Sequence, residues 1–328
     1  RTRPVLFCKP VILKKRYIPV AQSVTTRCIA RAQAPLCPNH LRMVRLRSGS
    51  AGSSWDSAVG TRIPATHSVS IVSDTAVAAR EAAERAADYV VRTPLKRSSV
   101  FSEELQAEVY FKLENRQTTG SFKLRGATNR LLTLDAAQRD QGCVAASSGN
   151  HGAAVACAMQ TLGVSGVIFV PEHTSPVKIE KIRGYGGDVR LFGTDGLDTE
   201  EHARAFASRN GMFYLSPYND EQVVAGQAPC GIEIAGELPD LDAIFIAVGG
   251  GGLIGGVGAV LKAHDPGIRV VGCQPLASPV MMRSIAAGEI LDMPSEPTLS
   301  DGTAGGIEQG ALTFELNQAV VDDWVAVD

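Results

Sequence analysis

Lys123 carries the most chemical capacity in this chain, standing in the run Gly120-Ser121-Phe122-Lys123-Leu124-Arg125-Gly126. A lone lysine is ordinarily a solvated surface charge. Here Phe122 and Leu124 flank it at the start of an amphipathic helical pattern, and a desolvated lysine at a helix N-terminus has its pKa lowered toward the free amine. A neutral amine can form a Schiff base with a carbonyl compound. Two glycine-rich turns accompany it. Gly249-Gly250-Gly251-Gly252 follows an apolar run and opens a helix at Leu253, so unhindered amides meet the positive end of a helix dipole and can hold a phosphate. The other reading is a tight turn between strand and helix. Gly250, Gly252 and Gly255 also fit the spacing of a dinucleotide fingerprint, but Gln274 stands where that motif needs an acid. Ser147-Ser148-Gly149-Asn150-His151-Gly152 is the second turn, with hydroxyls, an amide and free N–H groups suited to a carboxylate, or alternatively an ordinary helix N-cap. Together the two turns suggest a ligand bearing both groups, or a cofactor and a substrate in one cleft.

The elements that must position these residues read as alternating strands and helices. Strands are expected at 108 to 113, 143 to 146, 166 to 170, 188 to 192, 243 to 248 and 268 to 274. Helices are expected at 75 to 91, 121 to 134, 150 to 162, 176 to 185, 196 to 210, 221 to 237, 253 to 263 and 279 to 287. Short apolar strands alternating with such helices imply an α/β fold, a mostly parallel twisted sheet covered on both faces, with ligands at the carboxyl ends of its strands.

The 328 residues are 45% hydrophobic and 20% charged, the composition of a globular protein, and no apolar run reaches the length of a membrane-spanning helix. The net charge of −2 hides an asymmetry: residues 1 to 55 hold 11 of the 32 basic residues and no acid, which leaves 21 basic against 34 acidic residues, or −13, from Asp56 onward. A folded part of that charge is a poor partner for nucleic acid. The basic, acid-free start reads as an organelle transit peptide, mitochondrial or plastid, or as a disordered basic tail, and residues 1 to 72 are set apart from the fold on that basis. Without it the protein is expected in the cytoplasm. Cys8, Cys28 and Cys37 lie in that stretch, while Cys143, Cys157, Cys230 and Cys273 are widely spaced, so neither a disulfide framework nor a zinc site is indicated.

The run Glu114 to Ala127, the Ser147 to Gly152 turn and the tetraglycine loop, in this order, closely resemble the serine/threonine dehydratases of pyridoxal-phosphate fold type II. The resemblance spans roughly residues 75 to 328 and includes Arg92-Thr93-Pro94-Leu95 and Ser300-Asp301-Gly302-Thr303-Ala304-Gly305-Gly306. It implies a two-domain, three-layer αβα enzyme, with a small subdomain at about 142–216 and a large one from 73–141 plus 217–328. It implies pyridoxal 5′-phosphate bound through Lys123, which also takes the substrate's Cα proton. Asn150 would contact the ring hydroxyl and Phe122 would pack on the pyridine. Gly249, Gly250, Gly251, Gly252 and Leu253 would present amides to the phosphate. Ser147, Ser148, Gly149 and His151 would line the substrate carboxylate, His151 through its backbone. The implied reaction is β-elimination from L-threonine or L-serine, giving 2-oxobutanoate or pyruvate and ammonia, in a homodimer.

Ser148 departs from several dedicated biosynthetic threonine dehydratases of that family, where alanine precedes the glycine, and resembles the racemase-like members, in which that serine is an acid on the opposite face. A serine or aspartate racemase is therefore the enzymatic alternative, and a non-catalytic ligand-binding protein the other. Gln274 and Val280 stand where racemases carry the acids of a divalent-cation site, so no metal is expected. Val320 to Asp328 reads as the beginning of a strand, and the family pattern continues beyond it, so the C-terminal part of the fold is expected to be missing.

Overall fold

The computed structural model describes residues 11–14 and 65–328, with side chains described from Ser70 onward. A six-stranded sheet runs in the order β10-β9-β8-β1-β3-β2, from β1 (Val11–Lys14), β2 (Leu95–Arg97), β3 (Glu108–Lys112), β8 (Ala243–Ala247), β9 (Arg269–Pro275) and β10 (Asp323–Val327). A four-stranded sheet runs β6-β5-β4-β7, from β4 (Cys143–Ala146), β5 (Gly166–Val170), β6 (Asp188–Leu191) and β7 (Phe213–Tyr214). The smaller sheet is wholly parallel. In the larger one β8, β9 and β10 are parallel, whereas β1, β2 and β3 pair antiparallel.

Alternation within the strands shows why both faces of each sheet are covered. Ile244, Ile246 and Val270 enter one core, and Phe245 and Val271 enter another on the opposite face. In the small sheet Cys143, Ala145, Ile168 and Val170 face one core while Val144, Val167 and Phe169 face the other. Side chains alternate with period two, so a strand apolar at every position must be buried twice. The helices supplying those covers are α1 (Ala65–Arg85), α2 (Ser99–Leu105), α3 (Lys123–Leu132), α4 (Ala136–Gln141), α5 (Asn150–Leu162), α6 (Pro176–Gly184), α7 (Gly196–Arg209), α8 (Glu221–Gln227), α9 (Pro229–Glu237), α10 (Gly252–His264), α11 (Val280–Ala287) and α12 (Leu312–Val320).

Three expectations change. The single helix expected over 221 to 237 is two, because Pro229 cannot donate its N–H and takes the first position of α9 instead. The helix expected from Thr75 begins at Ala65. Residues 1 to 72 are therefore not wholly apart from the fold, and Val11–Lys14 is paired on both edges, with β3 and with β8. Val11-Ile12-Leu13 is a short apolar run rich in β-branched residues, and the flanking Lys14, Lys15 and Arg16 dominate its composition. The rest of the transit-peptide reading lies outside the described residues. Among those described, no helix is long and apolar enough to cross a membrane.

Candidate active site

Lys123 is the first residue of α3, whose N-cap Phe122 offers no side-chain cap. Its Nζ donates to the carbonyl oxygen of Pro217 at 2.7 Å and lies 5.3 Å from the centroid of the Phe122 ring. Burial lowers its pKa from 10.5 to about 8. Among the described residues, the amine is thus held by one neutral acceptor, without a carboxylate that would keep it charged.

The Ser147–Gly152 turn joins β4 to α5. Ser147 N donates to Phe169 O at 3.1 Å, closing the sheet, and Ser147 Oγ accepts from Gly149 N at 3.2 Å. Asn150 opens α5; Ser148 and Asn150 are half-buried and Gly149 is exposed. Gly152 admits no side chain, because a Cβ there would run into the Ser147 carbonyl oxygen. His151 is buried and its Nε2 lies 3.0 Å from Leu215 O; a carbonyl only accepts, so Nε2 carries the proton. Burial, then the nearby Lys123 charge, push its pKa down to about 3 against the bond to Leu215. His151 is a neutral donor that ties α5 to the strand end.

That tie has a consequence for acid stability. Between pH 6.5 and about 3 the unfolded chain binds a proton at His151 that the folded chain refuses, so stability is complete above 6.5 and falls as pH drops through that window. The expected slope is about 1.4 kcal/mol per pH unit. His151→Gln, which keeps a donor for Leu215, should flatten that part of the curve in urea unfolding at pH 7, 6, 5 and 4.

The glycine loop follows β8 and enters α10. Gly251 adopts φ +84°, the left-handed region that favours glycine. Gly250 lies against the ring of Tyr218 and Gly251 against the Asn317 amide, each too close for a Cβ; Gly249 faces Thr303, with 3.2 Å from its absent Cβ to the Thr303 Cα. Leu253 is buried in the core beneath. Among the described residues, none of the backbone N–H groups of Gly249–Gly252 has an acceptor. The opening of a 13-residue helix behind them adds its dipole. The loop's donor set fits a phosphate, and the buried free amine fits an aldehyde, so the residues present suit a cofactor carrying both.

One segment, between β7 and α8, brings these parts together, and the sequence reading does not single it out. Leu215 O meets His151, Pro217 O meets Lys123, and Tyr218 covers Gly250 and Gly252. The Tyr218 hydroxyl accepts from Glu308 N at 2.9 Å, and Asn219 bonds both Glu308 and Leu312. Its sequence signal is modest: Ser-Pro-Tyr-Asn-Asp, an aromatic inside a run of turn formers. Two of the contacts are backbone carbonyls, which no residue type announces.

Gln274, expected in place of a ribose-binding acid, is buried: its Nε2 donates to Val248 O at 3.1 Å and its Oε1 accepts from Met282 N at 2.7 Å. It closes the β8–β9–α11 corner. Val280 is buried as well. Among the described residues, no cluster of His, Cys, Asp or Glu could hold a metal ion, and Cys143, Cys157, Cys230 and Cys273 form no disulfide.

Known proteins match this arrangement. An L-threonine ammonia-lyase of Thermotoga maritima is 41% identical over 249 residues, covering 76% of this chain and 62% of that relative's length. A catabolic L-threonine dehydratase of Escherichia coli is 38% identical, covering 75% of each. The solved structure of maize serine racemase superposes with a TM-score of 0.73 at 34% identity, over 77% of this chain and 78% of that one. The family model described as "Pyridoxal-phosphate dependent enzyme" matches residues 86–328, and with the fold and loops described above the chain belongs to that family, whose cofactor is pyridoxal 5′-phosphate.

Proposed function

We propose that this chain is an L-threonine/L-serine ammonia-lyase, eliminating the β-hydroxyl and releasing ammonia with 2-oxobutanoate or pyruvate. The observation that carries the reading is the desolvated Lys123 amine, linked through Pro217 and Tyr218 to the four-glycine loop and placed beside His151 of the serine-rich turn. The 41% identity to an L-threonine ammonia-lyase supports the substrate class. Pyridoxal 5′-phosphate, when bound, supplies the electron sink that acidifies the Cα–H of an amino acid.

The chain's own residues then bind, orient and move protons. Lys123 Nζ would hold the cofactor's aldehyde and would take the Cα proton; its lowered pKa keeps a share of it unprotonated near neutral pH. Gly249–Gly252 and Leu253 would hold the phosphate through backbone amides, with no need of an arginine. Phe122 would pack on the pyridine and Asn150 would contact its hydroxyl. Ser147, Ser148, Gly149 and the backbone of His151 receive the substrate carboxylate at the N-terminus of α5, which fixes the Cα–H bond relative to Lys123. The small sheet and its helices, about 142–216, act as one subdomain facing the rest across this cleft. The working form is a homodimer, and the basic stretch before Asp56 supports an organelle address.

Ser148 favours a second reading, a racemase, because its half-buried hydroxyl lies in the same turn with no protein partner among the described residues. The two are separated by incubating the cofactor-loaded chain with L-threonine and L-serine and measuring ammonia, 2-oxo acid and D-serine. Equal yields of ammonia and 2-oxo acid are the expected result. D-serine without 2-oxo acid would make it a racemase, and neither product from a chain that retains its cofactor would make it a binding protein.

A further inference from the structure

Helix α12 packs against the glycine loop. It lays Thr313 and Asn317, four residues and so about one turn apart, against that loop, and both side chains are fully buried. Thr313 Oγ1 donates to the carbonyl oxygen of Gly250 at 2.7 Å. The peptide joining Gly250 to Gly251 is trans, so its C=O and N–H point in opposite directions. A hydroxyl that draws the Gly250 carbonyl toward α12 therefore turns the Gly251 N–H away from α12.

Nothing in the loop's own chemistry enforces that orientation. Four consecutive glycines have no side chains to restrict φ and ψ, and either face of the peptide plane is sterically open to them. The restriction comes from the neighbours. The Asn317 amide stands where a Gly251 side chain would be, Oδ1 of the same residue lies 2.9 Å from where a Gly255 Cβ would stand, and the Tyr218 ring stands where a Gly250 side chain would be. Both amide atoms of Asn317 lack a partner among the described residues. A buried amide left so is costly, and its place is at the edge of this loop.

We propose that Thr313 is a positioning residue for the phosphate loop: its hydroxyl fixes the Gly250–Gly251 peptide plane so that the Gly251 N–H is presented to the cofactor's phosphate, while Asn317 restricts position 251 to glycine. The inference rests on the reading that this loop holds the phosphate. Binding of pyridoxal 5′-phosphate, pyridoxal and inorganic phosphate to the cofactor-free full chain is measured by calorimetry for wild type, Thr313→Val and Thr313→Ser, with circular dichroism to confirm folding.

Thr313→Val removes the hydroxyl at nearly constant shape and should weaken pyridoxal 5′-phosphate and inorganic phosphate on the order of tenfold, leave pyridoxal unchanged, and be rescued by Thr313→Ser. Unchanged phosphate affinity in Thr313→Val overturns the proposal. So does an equal loss for pyridoxal, which would mark Thr313 as a general packing residue. Should the valine variant fail to fold, Thr313→Ala is read by the same ratio of phosphate to pyridoxal effects. If wild type binds pyridoxal as tightly as its phosphate ester, the loop is not the phosphate site, and the underlying reading falls separately.

Discussion

Lys123→Ala should release ammonia from L-threonine slower than wild type by 10²–10⁴-fold or more, on the order of what a positioned general base contributes, and should retain no cofactor after borohydride treatment. The physical basis is burial. Nζ has Pro217 O as its acceptor at 2.7 Å, and desolvation lowers its pKa to about 8. At pH 7 roughly a tenth of the amine is then neutral, against about one part in 3,000 for a lysine at 10.5. Uptake of pyridoxal 5′-phosphate into a borohydride-stable form by cofactor-free wild type should therefore rise about tenfold per pH unit and level off near pH 8. A rate still climbing at pH 10 would show that burial does not set the amine's reactivity. Lys123→Arg separates charge from nucleophilicity, since a guanidinium stays protonated throughout and should be as inactive as alanine.

Arg125→Met should destabilise the fold by about 3–5 kcal/mol, read as a lower urea midpoint at unchanged slope. Arg125 is buried and makes a forked contact with Glu114, at 2.9 Å from Nε and again from an NH2 group, and a second with Glu233 at 2.7 and 3.0 Å. Lys112, equally buried, meets Glu233 at 2.5 Å and Thr93 O at 2.6 Å, and the Thr93 hydroxyl donates to Glu114. Two cations balance two carboxylates. Removing Arg125 leaves Glu114 facing a dry interior with no cation in contact, and a buried unpaired charge costs far more than the pair contributes. Arg190→Ala provides the contrast. Its bond to Asp188 joins two half-exposed side chains, and its loss should cost under about 1 kcal/mol.

This network also explains a pattern in the primary structure. Arg92-Thr93-Pro94-Leu95, the Glu114-to-Gln117 run and the Arg125 turn are separated along the chain but touch in space. Gln117 holds Val91 through both ends of its amide, accepting from Val91 N at 2.9 Å and donating to Val91 O at 2.8 Å, and Arg125 reaches Val91 O at 3.2 Å. These contacts fasten the segment before β2 to the start of α3, where Lys123 begins its helix.

Much of the fold was legible in residue order alone. β4 and β5 and helix α5 fall at the expected positions, because a strand apolar at every residue and a helix opened by Gly-Asn and closed by Gly163 carry their own local signals. The lysine and both glycine-rich turns were legible for the same reason: a free amine and unhindered amides are properties of residue type. Short-range signals failed elsewhere. β2 and β7, of three and two residues, are strands only because a neighbour completes their hydrogen bonds. β1 lay hidden in a basic stretch, since its place is decided by the gap between β3 and β8 and not by its flanks.

Sequence alone thus determined which residues can do chemistry here: the amine of Lys123, the amides of Gly249–Gly252 and the hydroxyls of Ser147 and Ser148. Only the tertiary structure decided their state and orientation. The carbonyl of Pro217 that holds Lys123 and the hydroxyl of Thr313 that turns a glycine peptide come from 94 and 63 residues away, and burial brings the Lys123 pKa to about 8. A backbone carbonyl has the same chemistry at every position, and burial belongs to the packed chain as a whole, so neither can be read from residue type.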